Sequence, residues 1–157
     1  MKIKFNAKSD KDLIILEAGI EIKMRKVIIN ALKACVKMKP YIISYDLSGI
    51  RNRIAARTRI YSVTFSPKTD ADVIEMLDNA LDVGKLIKFL LRCYSFGKGY
   101  PDYRLLNLVY MKSHYFNEDA VIRFEPLKSA GIDGSPENFD IDYSNNELLN
   151  FTIKEMM

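Results

Sequence analysis

"KIKFNAKSDKDLIIL" (residues 2–16) and "SVTFSPKTDADVIEM" (residues 62–76) decide how this chain of 157 residues folds. Both carry the frame F-x-x-K-[S/T]-D-x-D-[L/V]-I, at Phe5–Ile14 and again at Phe65–Ile74. At an offset of 60, Phe5, Lys8, Asp10, Asp12 and Ile14 match Phe65, Lys68, Asp70, Asp72 and Ile74. Ser9 pairs with Thr69 and Leu13 with Val73. Further on, an offset of 58 aligns Ile29 with Ile87, Leu32 with Leu90 and Cys35 with Cys93, which places a two-residue difference in one turn. Self-similarity at a fixed spacing marks a unit written twice.

Each copy opens on a short alternating strand. In "KIKFN", Ile3 and Phe5 alternate with Lys2, Lys4 and Asn6; in "YSVTFS", Tyr61, Val63 and Phe65 alternate with Ser62, Thr64 and Ser66. Period two sends the apolar set to one face and the polar set to the other. Ser9 and Thr69 then read as helix caps, with Asp10, Asp12, Asp70 and Asp72 as first-turn acids that complement orphan amides and the helix dipole. A short helix follows, with Leu13, Ile14 and Leu16 in one copy and Val73, Ile74, Met76 and Leu77 in the other. After a turn comes a longer helix. Its apolar stripe is Val27, Ile28, Ala31, Leu32 and Cys35 in the first copy, and Leu86, Ile87, Leu90, Leu91 and Tyr94 in the second. One strand–helix–helix unit of about 35 residues is too small to sustain a core. Two copies solve this by pairing their strands into an antiparallel ribbon over four helices.

Composition sets limits on the rest. The chain is 48% hydrophobic, enough for a globular core. No apolar run approaches the roughly 20 residues of a membrane span, and no secretory leader pattern follows Lys2 and Lys4. The expectation is therefore a soluble, cytoplasmic protein with no membrane partner. Cys35 and Cys93 lie inside apolar helical stretches and read as buried reduced thiols. Residues 1–97 hold 18 Lys/Arg against 10 Asp/Glu, whereas residues 98–157 hold 6 against 10. A basic front suits a polyanion, and the acidic back suits a different task.

This order of elements, over residues 1–36 and 58–95, resembles the ribbon-helix-helix (MetJ/Arc-type) DNA-binding family. The second copy, "RIYSVTFSPKTDADVIEMLDNALDVGKLIKFLLRCY", with its Phe65-Ser66-Pro67 strand exit and its Asp82-Val83-Gly84 helix entry, resembles plasmid ParR-type centromere-binding proteins. Tandem copies with an acidic end resemble the relaxosome protein TraY. The first copy departs from the pattern: Ala7 stands where Pro67 does, and its turn is longer. The resemblance implies a mainly α fold with a short antiparallel β-ribbon, made of two fused ribbon-helix-helix units forming an intramolecular pseudo-dimer, plus a C-terminal α+β extension. Four segments follow: unit one at 1–36, a basic connector at 37–57, unit two at 58–97 and an acidic extension at 98–157.

The resemblance also implies which residues meet DNA. Outward strand residues would read bases in the major groove: Lys2, Lys4 and Asn6 from one copy, Ser62, Thr64 and Ser66 from the other. Lys suits guanine acceptors and Asn can chelate adenine, whereas Ser and Thr discriminate less. The two sets differ, so an imperfect pair of half-sites is expected. The start of each longer helix would meet phosphate, through Lys23, Arg25 and Lys26 in one copy and Gly84 and Lys85 in the other. Arg57 and Arg59, with Arg51 and Arg53, form a basic run that serves either as a backbone clamp or as a solvated face. In the connector, "YIISY" reads as a short strand.

Nothing in the sequence points to catalysis, a cofactor or a metal. His114 is the sole histidine, which rules out a histidine-based metal cluster. "FGKGY" (96–100) lacks phosphate-loop spacing and reads as the end of a helix. "DYRLLNLVYMKSHYF" (102–116) reads as a packed helix, "AVIRF" (120–124) as a strand or extended stretch, and residues 129–147, with five acids and no base, as an exposed loop or linker. Leu148, Leu149, Phe151 and Ile153 near the end form an amphipathic pattern that would dock on a protein partner or pack on its own domain. The function expected is non-enzymatic, sequence-specific binding of double-stranded DNA, with self-association on the DNA, in plasmid or phage segregation, DNA transfer or autorepression. The alternatives are an antitoxin-type repressor with a toxin-binding tail and a protein–protein adaptor that does not bind DNA.

Overall fold

The computed structural model describes residues 1–49 and 57–117. The chain divides into Met1–Phe124 and Glu125–Met157, and the second part lies outside the described residues. The described part is mostly helical, with one two-stranded antiparallel sheet. Strand β1 (Lys2–Phe5) is followed by α1 (Lys11–Gly19) and α2 (Met24–Val36). Strand β2 (Arg59–Ser62) is followed by α3 (Ala71–Asp78) and α4 (Val83–Ser95). A short α5 (Tyr103–Leu105) continues as a wider π turn, Leu106–Tyr110. No helix among the described residues is long and apolar enough to cross a membrane.

β1 and β2 pair with Lys2 opposite Ser62, Ile3 opposite Tyr61, Lys4 opposite Ile60 and Phe5 opposite Arg59. Ile3 and Phe5 point into the core, and Val63 joins them. Phe5 and Tyr61 pack ring to ring at 4.9 Å. The long helices α2 and α4 pack on each other, while α2 also meets α3 and α4 meets α1. Each short helix therefore rests on the long helix of the other segment, and the two segments share a single core.

Burial along the long helices fixes their correspondence. In α2, Val27, Ile28, Ala31, Leu32 and Cys35 are buried; in α4, Leu86, Ile87, Leu90, Leu91 and Tyr94 are. These sets superpose at an offset of 59, not the 58 inferred from matching letters. Packing selects position on a face, so Cys35 corresponds to Tyr94 rather than to Cys93. The corrected offset also aligns Lys33 with Arg92.

That alignment reveals a reciprocal ion-pair arrangement. Lys33 Nζ lies 2.9 Å from Asp70 Oδ1. Arg92 Nη2 lies 3.3 Å from Asp10 Oδ1, and its Nε lies 2.7 Å from Asp12 Oδ2. Lys88 Nζ adds a 2.7 Å contact to Asp10 Oδ2. Each aspartate also turns back to the strand exit: Asp10 Oδ2 accepts from the Asn6 amide at 2.7 Å, and Asp70 Oδ2 from the Ser66 amide at 3.0 Å. The capping expectation is corrected here. The helices start at Lys11 and Ala71, so Asp10 and Asp70, not Ser9 and Thr69, hold the N-cap positions, and neither side chain caps its own helix. The carboxylates are more strongly engaged by the strand-exit amides and the facing cations.

"YIISY" is not a strand. Its amides cross to the end of α4 and the bend after it instead, Ile43 N–H to Tyr94 O at 2.9 Å and Tyr41 N–H to Gly99 O at 2.8 Å. Residues 102–116 are helical as far as Tyr110, and Tyr103, Leu106, Tyr110, Met111 and Phe116 belong to the same core as α1–α4. Buried Asn107 closes this segment: its Nδ2 donates to Phe116 O, and its Oδ1 accepts from the Tyr115 and Phe116 amides. Both cysteines are free thiols, Cys35 buried and Cys93 half-buried. Burial pushes the Cys93 thiol up to about 12.

Burial by itself would raise the Asp10 carboxyl, but the Lys88 bond, the Asn6 amide and the Lys88 and Arg92 charges outweigh it and hold the group below its ordinary value. The Lys33 bond, followed by the Ser66 amide, lowers Asp70 likewise. A carboxyl lowered in the folded state contributes stability above the unfolded pKa and loses it as pH falls through the folded one. Thermal melts should therefore show stability falling below about pH 4, with a shallower acid slope in Asp10→Asn. Asp10→Ala removes the carboxylate facing Lys88 and the acceptor of the Asn6 amide, while Arg92 keeps Asp12, and should cost about 3 kcal/mol in denaturant titration. Leu90→Ala in the helix crossing should cost a similar roughly 3 kcal/mol, whereas Leu81→Ala, on the exposed turn, should stay within about 0.5 kcal/mol.

Candidate nucleic-acid interface

Alternation along β1 leaves Lys2 and Lys4 exposed on the face away from the core. Residues directly opposite in an antiparallel pair share a face, so Ser62 and Ile60 complete the outer surface of the ribbon. Both are exposed. Ile60, at 63% exposure, was missed by the sequence reading. Strand two was expected over residues 61–66; an apolar residue in the polar phase hid its true start, so the expected strand begins two positions too late and ends four too late. The register set by β1 moves the strand back to Arg59–Ser62. The parity of Ile60 with Ser62 and Thr64 is the signal that would have found it.

Thr64 and Ser66 are exposed but lie past β2. The pairing reaches one step beyond Ser62, where the Val63 amide donates to Met1 O and the Met1 amine to Val63 O, each at 2.9 Å. Asn6 is exposed just after β1, and its side-chain Oδ1 accepts from the Lys8 amide at 2.9 Å. Bidentate recognition of adenine by Asn6 would have to share or open that bond.

The two long helices begin differently. Lys23 is the N-cap residue of α2 and gives it no side-chain hydrogen bond; Lys23, Arg25 and Lys26 are all exposed there. A helix start with three cations and no carboxylate cap is suited to an anion. At α4, Asp82 already occupies the corresponding place: its Oδ1 accepts from the Lys85 amide at 3.0 Å, and its Oδ2 lies 3.9 Å from Lys85 Nζ. A Cβ on Gly84 would meet Asp82 Oδ1 at 3.4 Å, so the carboxylate lies against the helix start. Phosphate at Gly84 and Lys85 would have to displace it.

Arg57 is exposed ahead of β2. Arg59 sits on the inward-facing register opposite Phe5, and its Nε lies 3.5 Å from Glu17 Oε2. Glu17, which sequence reasoning did not single out, thus holds one of the arginines expected to clamp the backbone. The same Glu17, after burial, raises the Tyr61 phenol above its ordinary value. Arg51 and Arg53 lie outside the described residues, as do Leu148, Leu149, Phe151 and Ile153 and the strand expected at 120–124. Among the described residues no cluster of three or more His, Cys, Asp or Glu could hold a metal.

No protein-family model, curated protein or solved structure matches the chain.

The unequal helix starts give a direct expectation. Asp82→Asn removes the carboxylate charge beside Lys85 and should strengthen binding of a generic duplex severalfold in fluorescence anisotropy at low salt, a charge effect that fades as salt rises.

Proposed function

We propose that this chain is a non-enzymatic, sequence-specific binder of double-stranded DNA, built as two fused ribbon-helix-helix units that form an intramolecular pseudo-dimer. The observation that carries the reading is the pairing of β1 with β2, the two segments that open on the same frame, in a ribbon whose outer row is Lys2, Lys4, Ile60 and Ser62. A two-stranded ribbon fits the major groove, where all four base pairs differ in donor and acceptor pattern. The cationic start of α2 supports the reading, because phosphate contacts there would set the register of the ribbon. Plasmid or phage segregation, DNA transfer and autorepression in the cytoplasm are the settings that the family resemblance implies. A protein-binding role is the second reading. It is favoured by Leu81, Leu108 and Val109, exposed large apolar residues on or beside the segment where Leu81 N–H bonds Tyr110 O.

Duplexes selected from a random pool and titrated across salt test the proposal. The expected affinity falls steeply with salt, as phosphate neutralisation requires. Lys4→Ala should relax base preference at one position, whereas Lys26→Ala should weaken all duplexes alike and flatten the salt slope by about one. Absence of salt-dependent duplex binding, or equal losses on selected and random DNA for Lys4→Ala, would overturn it.

A further inference from the structure

We infer that Ile60 is a specificity-determining residue that recognises the 5-methyl group of a thymine; the inference rests on the DNA-binding reading above. The chemistry of its surroundings singles this residue out. The ribbon is two-sided, and its apolar side chains Ile3, Phe5 and Val63 are sealed in the core. Ile60 belongs to the opposite face, directly across from exposed Lys4 and two positions from exposed Ser62. An isoleucine left 63% in water on a row of otherwise polar side chains does nothing for the core. It keeps apolar area available for a surface that arrives later. Strand propensity alone does not select it, since threonine would supply the same branching with a polar tip.

The major groove offers one apolar feature per A·T pair, the thymine methyl, and it lies beside the acceptors and donors that polar side chains read. On this ribbon Lys4 and Ile60 form one cross-strand pair, so an ammonium donor and a branched alkyl group share one level of the ribbon. Cross-strand neighbours on one face lie about 5 Å apart, between one and two base-pair rises of about 3.4 Å each, so the two side chains reach neighbouring base pairs. The pair is thus suited to a two-step sequence in which an acceptor-bearing guanine neighbours a thymine. Lys2 and Ser62, the next pair on the same face, are both polar and offer no such apolar contact. The methyl preference is therefore confined to one level of the ribbon's outer face.

The test uses the full chain and duplexes that it selects from a random pool. Each thymine in a selected duplex is replaced in turn by deoxyuridine, which removes the methyl and leaves base pairing intact. One replacement should weaken binding by roughly fourfold, the factor for one methyl group withdrawn from water. In Ile60→Ala the same replacement should have no effect, and selection with that variant should lose thymine at that position. Unchanged thermal melting of Ile60→Ala would show that the exposed site was altered without loss of fold. If the wild-type chain selects a sequence but no deoxyuridine effect depends on residue 60, the inference is overturned and the DNA-binding reading stands. If the wild-type chain shows no salt-dependent duplex binding, both are overturned.

Discussion

Two aspartates hold the strands, short helices and long helices in one arrangement. Asp10 and Asp70 each accept the amide of the residue four positions earlier, which turns the chain out of its strand and into the first helix. Each also faces a cation from the long helix of the other segment. A nearly buried carboxylate is tolerable only when its charge is matched and its oxygens are bonded. The facing cations therefore require the two segments to dock. Interlocking also explains why neither segment builds its own core: α1 rests on α4 and α3 rests on α2.

Much of this arrangement was legible in the amino-acid order. Alternation at Ile3 and Phe5 announced β1, and the stripes through Val27–Cys35 and Leu86–Tyr94 announced the long helices, because burial on one face imposes those periods. The repeat frame placed the acids correctly but not their duties, since the atoms that claim Asp10 lie 78 and 82 positions away, on Lys88 and Arg92. Letter matching also misaligned the long helices by one residue. Two cysteines looked equivalent, whereas the buried face pairs Cys35 with Tyr94. The segment "YIISY" carries strand-forming residues, yet its amides bond carbonyls at the end of α4 and in the bend that follows. Long-range backbone partners of that kind leave no local pattern to read. Ile60 escaped notice for the opposite reason, as an apolar residue in an exposed phase contradicts the rule by which strands are found.

The candidate interface is uneven in its charge as well as its side chains. An uncapped helix start with Lys23, Arg25 and Lys26 contrasts with one where Asp82 sits on the Lys85 amide. Arg57 is exposed, while Arg59 is drawn toward Glu17. The basic balance of the first 97 residues is therefore a poor guide to where an anion would be held. Local carboxylates decide that, because a charge a few ångströms away outweighs distant ones across a Debye length.

The cross-strand partnership of Lys2 with Ser62 has a consequence for directionality. These are the two positions that the 60-residue frame makes equivalent, and the structure sets a cation against a hydroxyl there. A homodimeric reader would place identical side chains at that point and could sit on a palindrome either way round. On the proposed reading, this chain carries a built-in arrow: head and tail differ, so each site would set the direction of the copy bound to it, and directly repeated sites would line the copies up the same way.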